Sequence, residues 1–254
     1  MAVKQETIDK YVGKVFDSRN YGKFTVLDCS DTNNILIKFL DTGYETTVFL
    51  NQIRTGSVLD YRKPTICGVG VVGSKLSTEE LQSKVYKDWT NMISRCYSKH
   101  TLEKHPTYKD CTISDDFLHY PTFKEWYFKQ PSRNNKGWVI DKDLLCRDGV
   151  KVYSPSTCVF LPPEINSLLT TTKAKRGDLP IGVRYSKNRQ RYQADIGMNG
   201  ENFSLGIYDT KEEAFAVYKQ AREDYLKVKA DKYKDQLCER AYNALYNYEV
   251  KITD

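Results

Sequence analysis

Short β-rich apolar runs fill the first seventy positions of the chain, and a helical period replaces them from Ser77 onward. "KFTVLDC" and "ILIKFLD" are such runs, "YETTVFL" follows a turn at Asp41-Thr42-Gly43, and "GVGVVG" closes the segment; the pattern predicts short strands over 12–73. At Ser77 a Ser-Thr-Glu-Glu signal opens a helix that sets Leu81, Val85, Trp89, Met92 and Cys96 on one face. After a polar loop, "FLHYPTFKEWYFKQ" predicts a second helix entered near Pro121, with Phe123, Trp126, Tyr127 and Phe128 read as core. "PSRNNKG" is rich in turn residues, "WVIDKDLL" predicts a strand, and "YSPSTCVFLPPEINSLLTTT" reads as loop, short strand and helix start.

A third pattern follows the polar connector "TTTKAKRGDLP". Pro180 biases the chain away from helix just before it. "GVRYSK", "RYQADIGM" and "NFSLGIYD" then predict three strands, the last two joined at Asn199-Gly200, a strong short-range hairpin signal. Period two along the middle strand turns Tyr192, Ala194 and Ile196 to one side and Arg191, Gln193 and Asp195 to the other. Thr210 with Glu213 forms a capping box, and Ala214, Tyr218, Ala221 and Tyr225 trace an apolar stripe on the helix it opens. Tyr233, Leu237, Ala241, Leu245 and Tyr248 predict one more amphipathic helix. The expected fold class is α+β in three parts: a small β-barrel over 1–75, an α+β middle over 76–171, and over 172–254 a three-stranded antiparallel sheet packed on a helix.

Composition fits a globular chain of 254 residues, 40% hydrophobic and 28% charged, and the net charge of +6 is unevenly spread. Between Thr172 and Tyr192 stand seven Lys/Arg and one Asp, a local +6 equal to the whole excess. A basic stripe of this kind is the electrostatic footprint of a nucleic-acid contact. Seven cysteines (29, 67, 96, 111, 146, 158, 238) are scattered without a CxxC pair. They read as reduced thiols in a cytosol, and the lack of paired spacing speaks against zinc at Cys96, Cys111, Cys146 and Cys158. No apolar run approaches the ~18 residues of a membrane span, and "MAVKQETIDKYVG" has no signal-peptide core. The expectation is a cytoplasmic protein with no membrane partner.

The third segment resembles the APETALA and ethylene-response-factor DNA-binding domain of plants, in the form fused to phage integrases and homing endonucleases. The resemblance rests on Gly182-Val183-Arg184, Tyr192-Gln193-Ala194-Asp195-Ile196, Leu205-Gly206-Ile207-Tyr208-Asp209-Thr210, and Glu212-Glu213-Ala214 with Ala216 and Tyr218. It implies that the sheet lies in the major groove of double-stranded DNA, with Arg184, Asp195 and Ser204 at contact positions. Lys187, Arg189 and Arg191 crowd the first hairpin, within reach of phosphates, and Ser186 and Asn202 join the candidate DNA-binding set. Arg reads guanine bidentately and Gln reads adenine, which makes Arg184, Arg191 and Gln193 the candidates for base readout. Lys173, Lys175 and Arg176 in the connector are expected on the phosphate backbone. Two tryptophans that pack on DNA in the plant domain are missing, with Ser204 at one of their positions, so the plant target sequence does not carry over.

"NILIKFLDTGYETTVFLNQIRTGSV" resembles a Tudor-like or KOW-like small barrel, which implies a protein partner for the N-terminal part. "VIDKDLLCRDGVKVYSPSTCVFLPPEIN" resembles an HNH nuclease, with Asn166 at the closing Asn. The Asp-His pair of that family is replaced here by Asp141-Lys142-Asp143. A lysine with an ordinary pKa near ~10.4 is a poor base at neutral pH, and losing a general base forfeits ~10²–10⁴ in rate. The expected function is therefore sequence-reading DNA binding without catalysis or cofactor, serving regulation, DNA occupancy or counter-defence. The alternative is a metal-dependent HNH-type homing endonuclease using Asp141, Lys142, Asp143 and Asn166 with Mg²⁺, for which oxygen ligands are suited.

Overall fold

The computed structural model describes residues 5–146, 149, 151–170 and 178–252. The chain is α+β with antiparallel sheets and divides into two compact units, Met1–Lys124 and Glu125–Asp254.

In the first unit, α1 (Gln5–Tyr11) precedes an antiparallel meander of β1 (Val15–Ser18), β2 (Gly22–Asp28), β3 (Ile35–Phe39) and β4 (Glu45–Val48), in that spatial order. Ile35, Ile37 and Phe39 alternate inward along β3, and register sets Phe24 against Phe39 and Val26 against Ile37. With Tyr11, Val48 and Ile53 these side chains form one core. The expected barrel does not close among the described residues. After β4 the chain enters α2 (Leu50–Thr55), whose Ile53 joins the core. "GVGVVG" makes only isolated bridges, Ile66 to Gly70 and Val71 to His119. Gly68 (φ 76°) and Gly73 (φ 83°) turn this segment left-handed at both ends, and an extended edge cannot propagate through them.

The helix expected from Ser77 is two helices, α3 (Thr78–Gln82) and α4 (Lys84–Tyr97). Ser83 separates them: its hydroxyl donates to the Glu80 carbonyl and accepts from the Tyr86 N–H. The break shifts the helical phase. Val85, Trp89, Met92 and Cys96 stay buried, while Leu81 is left 46% exposed. Trp89 Nε1 donates to the Phe117 carbonyl at 2.8 Å. α5 (Lys99–Lys104), β5 (Thr112–Ile113), α6 (Asp115–Leu118) and α7 (Tyr120–Lys129) complete this stretch, and the boundary between the units falls inside α7. Phe123, Trp126 and Tyr127 are buried as expected of core residues, but Phe128 is exposed.

The second unit contains β6 (Val139–Asp141), β7 (Val152–Tyr153), β8 (Val159–Leu161) and α8 (Pro163–Leu169). β6 pairs antiparallel with β8, setting Asp141 opposite Val159. β9 (Val183–Ser186), β10 (Arg191–Met198) and β11 (Glu201–Tyr208) follow, with β10 central, and then α9 (Lys211–Lys232) and α10 (Glu239–Tyr246). Asn199 (φ 53°) and Gly200 (φ 86°) make the tight hairpin turn. Thr210 and Glu213 cap α9 reciprocally. The tail helix is shorter than its apolar positions suggest. Tyr233 is the C-cap of α9, and Tyr248 and Val250 return to the core of the three-stranded sheet.

α8 is fastened to α9 by Glu164, which binds Lys229 at 3.1 Å and Lys232 at 2.6 Å, and by Arg222, which donates to the Leu168 carbonyl. Arg240 on α10 donates to the carbonyls of Ser156 and Pro155. Among the described residues, no helix is long and apolar enough to cross a membrane.

Candidate nucleic-acid interface

The three-stranded sheet has two chemically different faces. Val183, Ala194 and Ile196 pack with Ala214, Phe215 and Tyr218 of α9, and Tyr192, Met198 and Leu205 flank them. Gly182 (φ 74°) permits this closeness, since a Cβ there would lie 2.0 Å from the Tyr218 ring. The other face carries mostly polar side chains, with Ile207 opposite Gln193 on β11. Gln193 stands directly opposite Arg184, and Asp195 opposite Ser204. The pairing skips Leu205 between Ala194 and Asp195, and this bulge brings Ser204 beside the Gln193 amide.

These four side chains form a hydrogen-bonded set. Arg184 Nε donates to Asp195 Oδ2 at 2.5 Å, and Gln193 Nε2 donates to Asp195 Oδ1 at 2.9 Å and to Ser204 Oγ at 2.9 Å. The Arg184 side chain is 62% exposed, so its remaining donors face solvent. Ser186 pairs with Arg191, and Asn202 with Gly197, at the ends of the ribbon. Lys187 and Arg189 are exposed in the turn between β9 and β10. Arg191 is ion-paired with Asp209 at 2.7 Å, a partner that period-two reasoning within one strand does not reveal. Both groups are exposed, so the pair is weak and breaks readily for a phosphate. The sheet thus presents a charge-compensated polar centre with cations on one rim. Lys173, Lys175 and Arg176 lie outside the described residues.

The Asp141-Lys142-Asp143 stretch is arranged differently from a solvated acidic site. The Lys142 side chain is only 4% exposed, with its ammonium 2.6 Å from Asp143 Oδ1 and over the Tyr153 ring. Burial pushes the Asp141 carboxyl up to about 6, against the Leu144 N–H that donates to Oδ1 at 2.8 Å. Burial likewise pushes the Cys158 thiol up to about 12. The backbone of Asn166 belongs to the first turns of α8, where its N–H donates to the Pro162 carbonyl. Asp143 is engaged with the Lys142 ammonium, and among the described residues no three His, Cys, Asp or Glu side chains gather to hold a metal ion.

No protein-family model, curated protein or solved structure matches the chain.

Proposed function

We propose that the chain is a sequence-reading, double-stranded DNA-binding protein of APETALA type, whose β9–β10–β11 face enters the major groove. The observation that carries this reading is the outward Arg184–Asp195–Gln193–Ser204 set on a ribbon backed by α9. A major groove about 12 Å wide admits a two-stranded β-ribbon. Lys187 and Arg189 on the rim suit phosphates, which position without specifying. The proposed role is non-catalytic: occupying or marking DNA, as a regulator or a counter to host defence. Selection from a random duplex library, followed by mobility shift, tests it; absence of any duplex preference at physiological salt overturns sequence reading.

A second reading, a metal-dependent HNH-type endonuclease, draws on the β6, β8 and α8 order and on Asp141, whose raised pKa is of the kind active sites use. It requires Lys142 to release Asp143. Supercoiled plasmid incubated with Mg²⁺ or Mn²⁺ separates the two readings by the presence of nicks.

A further inference from the structure

A primary amide carries two protons, and in Gln193 both are engaged: Nε2 donates to Asp195 Oδ1 and to Ser204 Oγ, each at 2.9 Å. The orientation of this amide is forced by chemistry, because an ionised carboxylate only accepts hydrogen bonds and so must face the nitrogen. What remains for a ligand is the carbonyl oxygen, Oε1. The usual glutamine–adenine contact needs both ends of the amide, Oε1 for the N6 amine and Nε2 for N7. Here that second end is already used.

Resting on the reading that this face enters the major groove, we infer that Gln193 is an acceptor-only base reader, and that Asp195 and Ser204 are positioning residues that hold it so. An acceptor in the major groove favours the bases that present an exocyclic amine, adenine through N6 and cytosine through N4. It disfavours guanine and thymine, which present O6, N7 and O4 as acceptors. One position of the site therefore accepts adenine or cytosine and rejects the other two bases. Asp195 also fixes the neighbour, since its Oδ2 takes Arg184 Nε at 2.5 Å and leaves the four terminal guanidinium N–H groups for a base or phosphate. Asp195 and Ser204, whose positions in the resembled family touch DNA, act here through Gln193 and Arg184.

The experiment begins with duplex selection using the full chain and its Gln193→Ala variant; the position whose preference the variant loses is the one Gln193 reads. That position is then rebuilt with adenine, with purine (no N6 amine) and with 7-deazaadenine (no N7). The expected result is enrichment of adenine and cytosine there, with purine weakening binding by roughly 3- to 10-fold, the worth of one hydrogen bond. 7-Deazaadenine should bind as adenine does. Ser204→Ala frees one amide proton on the solvent face, and sensitivity to 7-deazaadenine should then appear. A structural role for Ser204 alone would not produce that atom-specific change. The inference is overturned if 7-deazaadenine weakens the wild-type protein as much as purine does, if guanine or thymine is preferred, or if Gln193→Ala leaves every preference intact. Failure to bind any duplex overturns the DNA reading itself, and this inference with it.

Discussion

Glu164 on α8 and Lys229 on α9 form an ion pair at 3.1 Å in which the lysine side chain is only 7% exposed. Lys229 Nζ also donates to Asn199 Oδ1 at 2.9 Å, and Tyr225 hydroxyl donates to the same oxygen. One buried cation thus ties α8, α9 and the tip of the β10–β11 hairpin together. The pairing of β10 with β11 starts from that tip, so this contact helps to hold the geometry of the polar face.

This pair makes stability pH-dependent. Burial acts to raise the Glu164 carboxyl, but hydrogen bonds from Lys232, Tyr233 and Lys229 outweigh it and bring the pKa down to about 2 from 4.5. A depressed carboxylate contributes stability that is complete above its unfolded pKa and is lost as pH falls toward the folded one. Urea midpoints should therefore fall between pH 5 and pH 2 more steeply for the wild type than for Glu164→Gln. Parallel pH profiles would show that the pair contributes nothing measurable.

Gly182→Ala should destabilise the second unit by about 1–3 kcal/mol, as overpacked sites do. The residue sits at φ 74°, and its new methyl would meet the Tyr218 ring at 2.0 Å. The affected backbone leads directly into Val183 and Arg184, so DNA affinity should fall with stability. Thermal melting and duplex binding of the variant check both, and a variant as stable as the wild type would mean that Tyr218 turns aside at little cost.

What could be read from the chain beforehand divides along sequence separation. The β10 alternation, the Asn199-Gly200 turn and the Thr210–Glu213 box depend on residues a few positions apart, and their local chemistry is explicit. The helical period runs one continuous helix through Ser83, whose cap hydrogen bonds instead break that helix and slip the phase at Leu81. The open N-terminal sheet was not legible, because closure depends on strand partners across the whole segment. Glu164 and Lys229 are 65 positions apart, and the Gln193–Ser204 bond depends on a bulge that skips Leu205. The candidate side chains of the sheet were visible in the pattern; their use of one another was not.

Arg184→Ala should cost about 1–3 kcal/mol at a preferred site and relax its sequence, whereas Lys187→Ala should weaken all duplexes evenly and lower the salt slope by about 1. Neutralising Lys173, Lys175 and Arg176 together should flatten the salt dependence while leaving preference intact, because phosphate contacts position without specifying. Binding isotherms over a salt series decide this, and an unchanged slope would make the connector a tether only.

A buried structural cluster and a working nuclease site would respond differently to changes at Asp141. Asp141 has its carboxyl raised from 3.8 to about 6 by burial. A raised carboxyl costs stability as pH climbs through that window, because the folded protein must then hold a charge it solvates poorly. Asp141→Asn keeps an oxygen for the Leu144 N–H and removes the charge. It should stabilise the protein by roughly 1–3 kcal/mol more at pH 8 than at pH 4. Wild-type protein should leave supercoiled plasmid unnicked in Mg²⁺ or Mn²⁺ if, as the HNH resemblance implies, Lys142 takes the place of the base, since its ammonium is held against Asp143 at 2.6 Å. If Asp141 instead serves catalysis, nicking should be present and both Asp141→Asn and Asn166→Ala should abolish it. A stabilised Asp141→Asn variant without any parent activity points to a relic scaffold, and metal-dependent nicking lost in both variants points to an enzyme with an unusual base.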